Sequence, residues 1–172
     1  GDLWAGAASQ AVHLLSELIE QGQNQFSAIT FNDGRLTREL KKYGIPVLCL
    51  PEHKVSSTRI LLHMYRFLKK QKIDLIHCHG HKEHILGCIA VWLGGRRIKV
   101  IRTLHGLPEP YSGLAGLRAA AYQRLQDQLT VSLTDSVIAV SKDMESRLRT
   151  KRWGAKVICV HNGINPHKLK VT

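Results

Sequence analysis

Several features that define common protein classes are missing from this 172-residue sequence. It contains no uninterrupted apolar run of transmembrane length, and its first residues, Gly1–Trp4, match neither a signal peptide nor another targeting segment. The first methionine is Met64, so we expect further sequence upstream of Gly1. Neither a GxGxxG loop nor a Walker A loop is present, which argues against a dinucleotide-dependent dehydrogenase.

The sequence has only four cysteines, and they do not occur in closely spaced pairs. Cys49, Cys78, Cys88 and Cys159 each lie within an apolar run, and none has the CxxC spacing of a zinc knuckle or redox motif. We therefore expect buried free thiols in a reducing compartment.

Composition and charge define the general class. With 44% hydrophobic and 22% charged residues, the chain is typical of one folded globular domain. Its 25 Lys and Arg against 13 Asp and Glu give a net charge of +12. A field this positive favours an anionic partner, which could be a nucleic acid, an anionic membrane or a phosphorylated substrate.

The hydrophobic pattern alternates between helical and strand periodicity. The predicted strands are apolar on both faces, which indicates a parallel sheet covered by helices. We predict an α/β fold with a doubly wound, Rossmann-like parallel sheet. The predicted helices span about 7–21, 35–43, 57–71, 82–93, 114–133 and 142–152, and the predicted strands span 26–31, 46–50, 73–78, 99–104, 136–140 and 157–160.

Unusual polar residues follow the ends of the predicted strands. The strand at 73–78 leads into the histidine-rich segment 77–84 (HCHGHKEH), and the strand at 99–104 leads into His105 and Gly106. The last strand leads into His161, Asn162 and Gly163, and the segment 1–6 precedes a helix whose N-terminus can receive an anion. Ligands of open parallel sheets bind at such carboxyl ends, so we expect the functional site there.

The four histidines at 77–84 have two interpretations. Imidazole is a common metal ligand, but His77 and His79 share a strand face while His81 and His84 belong to the next turn and helix. Neither HExxH nor a Cys/His pairing is present. We favour polar histidines beside an organic ligand over a metal site. For His105, a catalytic role and a structural role in its loop both remain open.

Two predicted helices carry many basic residues, at 35–42 and 59–72. The simpler interpretation is a pair of solvated helix faces. The functional one is a cationic amphipathic surface that contacts anionic lipid. Aromatic residues are only 6% of the chain, so a nucleic-acid partner is not expected.

Five segments together resemble the retaining GT-B glycosyltransferases of family 4. They are 1–7 (GDLWAGA), 74–82 (DLIHCHGHK), 103–106 (TLHG), 136–142 (SVIAVSK) and 157–165 (VICVHNGIN), in the family's order along nearly the whole chain. The resemblance implies the N-terminal, acceptor-side domain of two Rossmann-like domains that face each other across a cleft. It also implies sugar transfer with retention from a nucleotide-sugar to an acceptor hydroxyl, without a bound metal or other cofactor.

The resemblance also implies roles for individual residues. His105 would contact the donor sugar and help to stabilise the transition state. The loop bearing Gly1, Asp2, Gly6 and Ala7 would approach the donor diphosphate and the acceptor. The acceptor side would be lined by His79, Gly80, His81 and Lys82, and Asn162 and Gly163 would end the domain before the interdomain hinge.

Two departures from the family pattern affect these expectations. No strand precedes Gly1, although the family places its first strand at the centre of the sheet, and no donor-binding domain follows Thr172. We therefore expect residues 1–172 to be one acceptor-side domain that is inactive by itself. In the whole enzyme we expect sugar or lipid-linked acceptors in lipopolysaccharide, capsule or glycolipid synthesis, and a cytoplasmic location that includes the inner membrane face.

Two other functions fit the same sequence. One is a non-catalytic Rossmann-like module that binds an anionic ligand or nucleic acid through its basic surface. The other is a GT-B epimerase or phosphorylase, which shares the architecture and differs mainly in the second half of the protein.

Overall fold

Strands and helices alternate along the chain. The computed structural model describes residues 6–22, 24–95, 97–106 and 113–163. The helices are α1 (Gly6–Glu20), α2 (Arg35–Lys42), α3 (Ser57–Lys70), α4 (His81–Leu93), α5 (Gly113–Leu133) and α6 (Lys142–Arg149), and the strands are β1 (Ala28–Thr30), β2 (Val47–Cys49), β3 (Leu75–Cys78), β4 (Lys99–Leu104), β5 (Ser136–Ala139) and β6 (Val157–Cys159).

Every strand pairing in the described residues is parallel, as the apolar strands predict. β1 pairs with β2 in a two-stranded sheet, and β3 to β6 form a four-stranded sheet in sequential order. Each strand of the larger sheet is linked to the next by a helix, which is the connection that parallel pairing requires. The predicted α/β class is confirmed.

The described chain forms two compact units. Residues up to Ile60, together with Asn162 and Gly163, belong to the first unit. Its core is built from Val12, Leu40 and Ile45. A buried hydrogen bond of 2.8 Å between the hydroxyls of Thr30 and Thr37 joins β1 to α2.

The second unit comprises residues 61–161 and holds the four-stranded sheet. Its core lies where α6 packs on β5 and β6, and it is formed by Leu104, Val137, Ala139, Met144, Leu148, Trp153 and Val157. Helix α4 covers the same face of the sheet, because Gly87 lies against the side chains of Ile76 and Cys78.

Several predicted boundaries differ from the structure by one to three residues, and the start of β3 and the end of α6 show why. β3 begins at Leu75 rather than Ile73 because Lys72 takes a positive φ of 50° and Ile73 then donates its N–H to the carbonyl of Leu68. Lys72 and Ile73 therefore still belong to the C-terminal cap of α3. Helix α6 ends at Arg149 rather than Arg152, since its last turn tightens through a bond from Lys151 N–H to the Leu148 carbonyl.

The cysteines follow the prediction in part. All four are free thiols, with Cys78 and Cys88 buried and Cys49 and Cys159 half-buried. Among the helices that the structure describes, none combines the length and the apolarity needed to cross a bilayer.

A candidate active site at the ends of β3 and β4

Strands β3 and β4 end side by side and form one edge of a cleft. Their register pairs Leu75 with Lys99 and Cys78 with Arg102, so both carboxyl ends face the same edge of the sheet. The cleft has a volume of about 250 Å³ and is lined by residues 79–81 and 102–106. This is the position at which open parallel sheets bind ligands.

Three histidines form a row along this edge. The Nε2 atom of His77 lies 2.6 Å from the hydroxyl of Thr103. The rings of His77 and His79 have centroids 4.2 Å apart, and the rings of His79 and His105 stack at 5.5 Å. The Nδ1 atom of His79 is 3.2 Å from Nε2 of His105. His79 and His105, which follow two neighbouring predicted strands, thus lie side by side, and the roles given to them stay predictions.

These histidines are neutral at physiological pH. Burial lowers the pKa of His79 to about 3, with smaller contributions from His77 and His105. Burial, followed by the charge of His105, lowers the pKa of His77 to about 4, and burial also lowers the pKa of His105. Neutral imidazoles donate at one nitrogen and accept at the other, so they suit hydrogen bonding to hydroxyl groups.

Gly106 leaves the cleft open beside His105. The residue is exposed, and a Cβ built on it would meet no described atom within 4 Å. A ligand can therefore approach the backbone at the point where the chain leaves β4.

The other wall of the cleft is formed by His81 and Arg102. Gln126 of α5 contacts His81. The Nδ1 atom of His81 lies 2.6 Å from Oε1 of Gln126 and 3.1 Å from Nη2 of Arg102. The amide nitrogen of Gln126 donates to the backbone carbonyl of His81 at 3.2 Å. Gln126 is buried, so its two contacts with His81 hold the first turn of α4 against α5, and the buried Arg102 lies beside the same His81 nitrogen.

His84, the fourth histidine of the cluster, lies in the core rather than the cleft. Its side chain is fully buried, and its Nε2 atom lies 2.8 Å from the hydroxyl of Thr134 and 3.4 Å from Sγ of Cys88. Burial, then the charges of Arg102 and His81, lowers the pKa of His84 to about 3. His84 therefore joins α4 to the end of α5 as a neutral imidazole.

The cysteine thiols nearby are not reactive. Burial raises the pKa of both Cys78 and Cys88, so neither forms a thiolate at neutral pH. Within the described ranges, no group of three His, Cys, Asp or Glu side chains is arranged to hold a metal ion. That the protein needs no metal stays a prediction.

The remaining predicted site residues are divided between the two units. Gly80 caps α4 and lines the cleft, and Lys82 follows as a half-buried residue in the first turn of α4. Gly6 and Ala7 begin α1 in the first unit, and Asn162 and Gly163 are exposed after β6. Gly1 and Asp2 lie outside the described residues. The roles given to these residues stay predictions.

Sequence reasoning missed Arg102 and Gln126. The sequence does contain a signal for Arg102. It is a charged residue in the middle of the strand 99–104 (KVIRTL), whose last three residues are all buried. Gln126 gives a weaker signal. It lies with Thr130 on the buried side of α5 at helical spacing, and the buried Thr134 follows directly after the helix.

Comparisons with known proteins identify the family. Residues 4–168 match Glycosyltransferase Family 4, and the chain belongs to that family. A stretch of 94 residues, 52% of the chain, is 34% identical to the Escherichia coli UDP-Gal:α-D-GlcNAc-diphosphoundecaprenol α-1,3-galactosyltransferase. This match covers 24% of that enzyme.

Two solved structures share the fold. HepE from Anabaena, solved in complex with UDP, superposes with a TM-score of 0.72 at 17% identity, over 96% of this chain and 43% of HepE. MurG from Acinetobacter baumannii gives a TM-score of 0.61 at 15% identity, over 95% of this chain and 45% of MurG. The chain thus spans less than half of these relatives, and its fold is that of a GT-B N-terminal Rossmann-like domain.

Proposed function

We propose that this chain is the acceptor-side domain of a glycosyltransferase that transfers a sugar from a nucleotide-sugar to an acceptor hydroxyl. The transfer proceeds with retention of anomeric configuration and without a metal ion. The observation that carries the proposal is the cleft at the ends of β3 and β4, where His79 and His105 meet in a chain that belongs to Glycosyltransferase Family 4. The donor-binding half is expected elsewhere in the protein, so residues 1–172 alone are inactive.

In this proposal His105 is the residue that contacts the sugar being transferred. It lines the cleft, is half-buried, and has its Nε2 atom engaged by His79. A neutral imidazole held in this way offers a fixed hydrogen bond to a sugar hydroxyl and stabilises charge that develops as the bond to the leaving group lengthens. Gly1, Asp2, Gly6 and Ala7 approach the donor diphosphate and the acceptor.

The acceptor we propose is a sugar or a lipid-linked sugar in lipopolysaccharide, capsule or glycolipid synthesis. The E. coli relative acts on a sugar linked through a diphosphate to undecaprenol and uses UDP-Gal as donor, which supports this choice. The HepE structure contains UDP, which supports a nucleotide-sugar donor. In our proposal the acceptor side is lined by His79, Gly80, His81 and Lys82.

Helix α3 is suited to holding such an enzyme at the inner membrane face. Ile60, Met64 and Leu68 are buried along one side of the helix at a spacing of four residues. The opposite side is exposed and carries Arg59, Leu62, His63, Arg66, Lys69 and Lys70. A cationic face with an exposed leucine is attracted to anionic lipid. Arg66→Glu with Lys69→Glu should abolish sedimentation with phosphatidylglycerol vesicles, whereas Lys151→Glu, at an exposed site after α6, should not.

The proposed activity is tested on the full-length protein with a panel of UDP- and GDP-sugars, in the presence of EDTA and with membrane lipid extract as acceptor source. We expect transfer from one donor and a product with the donor's anomeric configuration by NMR. A folded protein that turns over no donor would instead favour the non-catalytic module, and an inverted product would contradict retention.

A further inference from the structure

Arg102 is a buried cation on the wall of the cleft. The residue is 2% exposed, and it lines the cleft together with its neighbours on β4. Burial lowers the pKa of Arg102 to about 10, so the guanidinium stays charged at neutral pH. In the part of the chain that the structure describes, no Asp or Glu forms an ion pair with it. A buried charge in that position is costly unless a counter-ion reaches it.

The nearest acidic residue on α5 is already engaged. The negative charge of Asp127 raises the pKa of Arg102 without an ion pair between the two residues. The Oδ1 atom of Asp127 instead accepts hydrogen bonds from Gln123 at 2.9 Å and from the Trp153 indole at 3.1 Å. Asp127 therefore holds α5 against the segment that follows α6. It does not neutralise the guanidinium by direct contact.

The hydrogen bonds of Gln126 determine what His81 can offer to Arg102. The Gln126 amide nitrogen donates to the His81 carbonyl, which can only accept, so the Oε1 atom must be the one that faces His81 Nδ1 at 2.6 Å. Oε1 is an acceptor, and Nδ1 therefore carries the proton. The same Nδ1 atom lies 3.1 Å from Arg102 Nη2 but cannot accept from it. No described residue then accepts a hydrogen bond from the guanidinium, and Arg102 is one of the residues that line the cleft.

The N-terminus of α4 does not take over this role. A Cβ built on Gly80 would overlap the carboxylate of Glu83, so this carboxylate already lies over the first turn of the helix. Its negative charge offsets the positive end of the helix dipole. Among the described residues that line the cleft, Arg102 is a cation without an acidic partner.

We propose that Arg102 binds a diphosphate group of a substrate in this cleft. A guanidinium fork matches the geometry of phosphate oxygens, and charge-assisted hydrogen bonds of this kind are stronger than neutral ones. This inference rests on the proposed function, since the nucleotide-sugar donor carries a diphosphate and so does a lipid-diphosphate acceptor. Either source presents the same chemistry to Arg102.

The first test measures binding of inorganic pyrophosphate to the full-length protein by calorimetry. Arg102→Met keeps the length of the side chain and removes the charge and the fork. We expect the Kd to rise about 10- to 100-fold, as for the loss of a charge-assisted hydrogen bond. Arg124→Met, at an exposed position on α5, is the matched control and should leave the Kd unchanged. No binding by the wild type, or equal Kd values in both variants, would overturn the proposal.

Stability separates a binding role from a structural one. Because Arg102 has no counter-ion, Arg102→Met should leave the melting temperature unchanged or raise it. A second variant, Gln126→Glu, places a carboxylate next to the same His81 nitrogen that Arg102 touches. This internal counter-ion should compete with pyrophosphate and weaken its binding at least about 10-fold, so it decides the question if Arg102→Met does not fold. Unchanged affinity in Gln126→Glu would contradict the proposal.

Two further arms identify the source of the diphosphate. If the donor supplies it, Arg102→Met weakens UDP binding and leaves the KM for a short-chain prenyl-diphosphate sugar unchanged. If the acceptor supplies it, the reverse holds. Loss of pyrophosphate binding without a change in either substrate would overturn the assignment to a substrate. Failure here is distinct from failure of the proposed function, since sugar transfer by the wild type is measured independently of the Arg102 variants.

Discussion

His79 Nδ1 lies 3.2 Å from His105 Nε2, with the two rings stacked at a centroid distance of 5.5 Å. A hydrogen bond between two imidazole nitrogens contains one proton, so one ring donates and the other accepts. His105 thereby has its Nε2 atom occupied, and the nitrogen it can offer to a ligand is Nδ1. A residue at the end of β3 therefore sets the orientation of the proposed sugar-contacting residue at the end of β4.

Changing His79 should reduce catalysis through His105. His79→Ala removes the hydrogen bond to His105 Nε2, and we expect kcat to fall about 10-fold because the imidazole is no longer held in one orientation. His79→Asn places an amide nitrogen near the former Nδ1 position and should recover most of the lost rate. Steady-state kinetics with melting curves test this, with His53→Ala, at an exposed site before α3, as control. Equal losses in the Ala and Asn variants would mean that the hydrogen bond is not what matters.

Stability should fall on mild acidification. In the folded protein the pKa values of His77, His79 and His84 lie at about 3 to 4, below their ordinary 6.5. The unfolded chain then binds protons that the folded chain does not, so stability is complete above pH 6.5 and is lost as the pH falls toward these lowered values. Between pH 7 and 5.5 each such histidine costs about 1 kcal/mol.

One substitution isolates this effect. Gln at position 84 can keep the hydrogen bond to Thr134 while removing the titrating group, so His84→Gln should flatten the pH dependence of urea unfolding by about 1 kcal/mol over the same interval. His63→Gln, at an exposed site, should not change the slope. An unaltered slope in His84→Gln would show that His84 is protonated equally in both states.

Lys156 should stabilise the end of α5. Its ammonium group donates to the carbonyls of Thr130, Val131 and Thr134 at 3.0, 2.7 and 2.6 Å. A cation at this end satisfies free carbonyls and complements the helix dipole. Lys156→Met should lower the free energy of unfolding by about 2 kcal/mol, measured by urea denaturation. Lys151→Met, at an exposed position, is the control, and equal small effects in the two variants would refute the capping role.

Gly154 should not tolerate a side chain. A Cβ at this position would overlap the backbone carbonyl of Arg149, and a backbone group cannot move aside as a flexible side chain can. Gly154→Ala should therefore cost about 2 kcal/mol or more. Gly163→Ala, where no described atom lies within 4 Å, should be nearly neutral. Thermal melting of the two variants compares them directly.

The sequence was sufficient for the order of elements and for part of the site. The strand at 99–104 has the predicted bounds because its apolar residues are framed by Gly94 and Gly95 before it and by His105 and Gly106 after it. The carboxyl ends of parallel strands lie at one edge of the sheet, which also placed His79 and His105 at that edge. The end of α3 was less predictable, because the left-handed conformation of Lys72 follows from closing the helix and not from a residue that favours it.

The second wall of the cleft could not be derived in the same way. Gln126 reaches His81 across 45 residues of sequence, and this contact depends on how α5 packs against α4. Local periodicity says which face of a helix is buried but not which residue of another helix it meets. Arg102 was visible as a charge in a buried strand, yet its lack of an acceptor follows only from the hydrogen bonds of Gln126.

The most direct test of the account is the rate of sugar transfer by the full-length protein with His105→Ala, compared with the wild type on the same donor in EDTA. His105 lies at a strand end and outside the core, so the variant should keep the wild-type melting temperature while its kcat falls about 100-fold or more. Wild-type turnover in a folded His105→Ala protein would contradict the claim that this cleft is where the sugar is transferred.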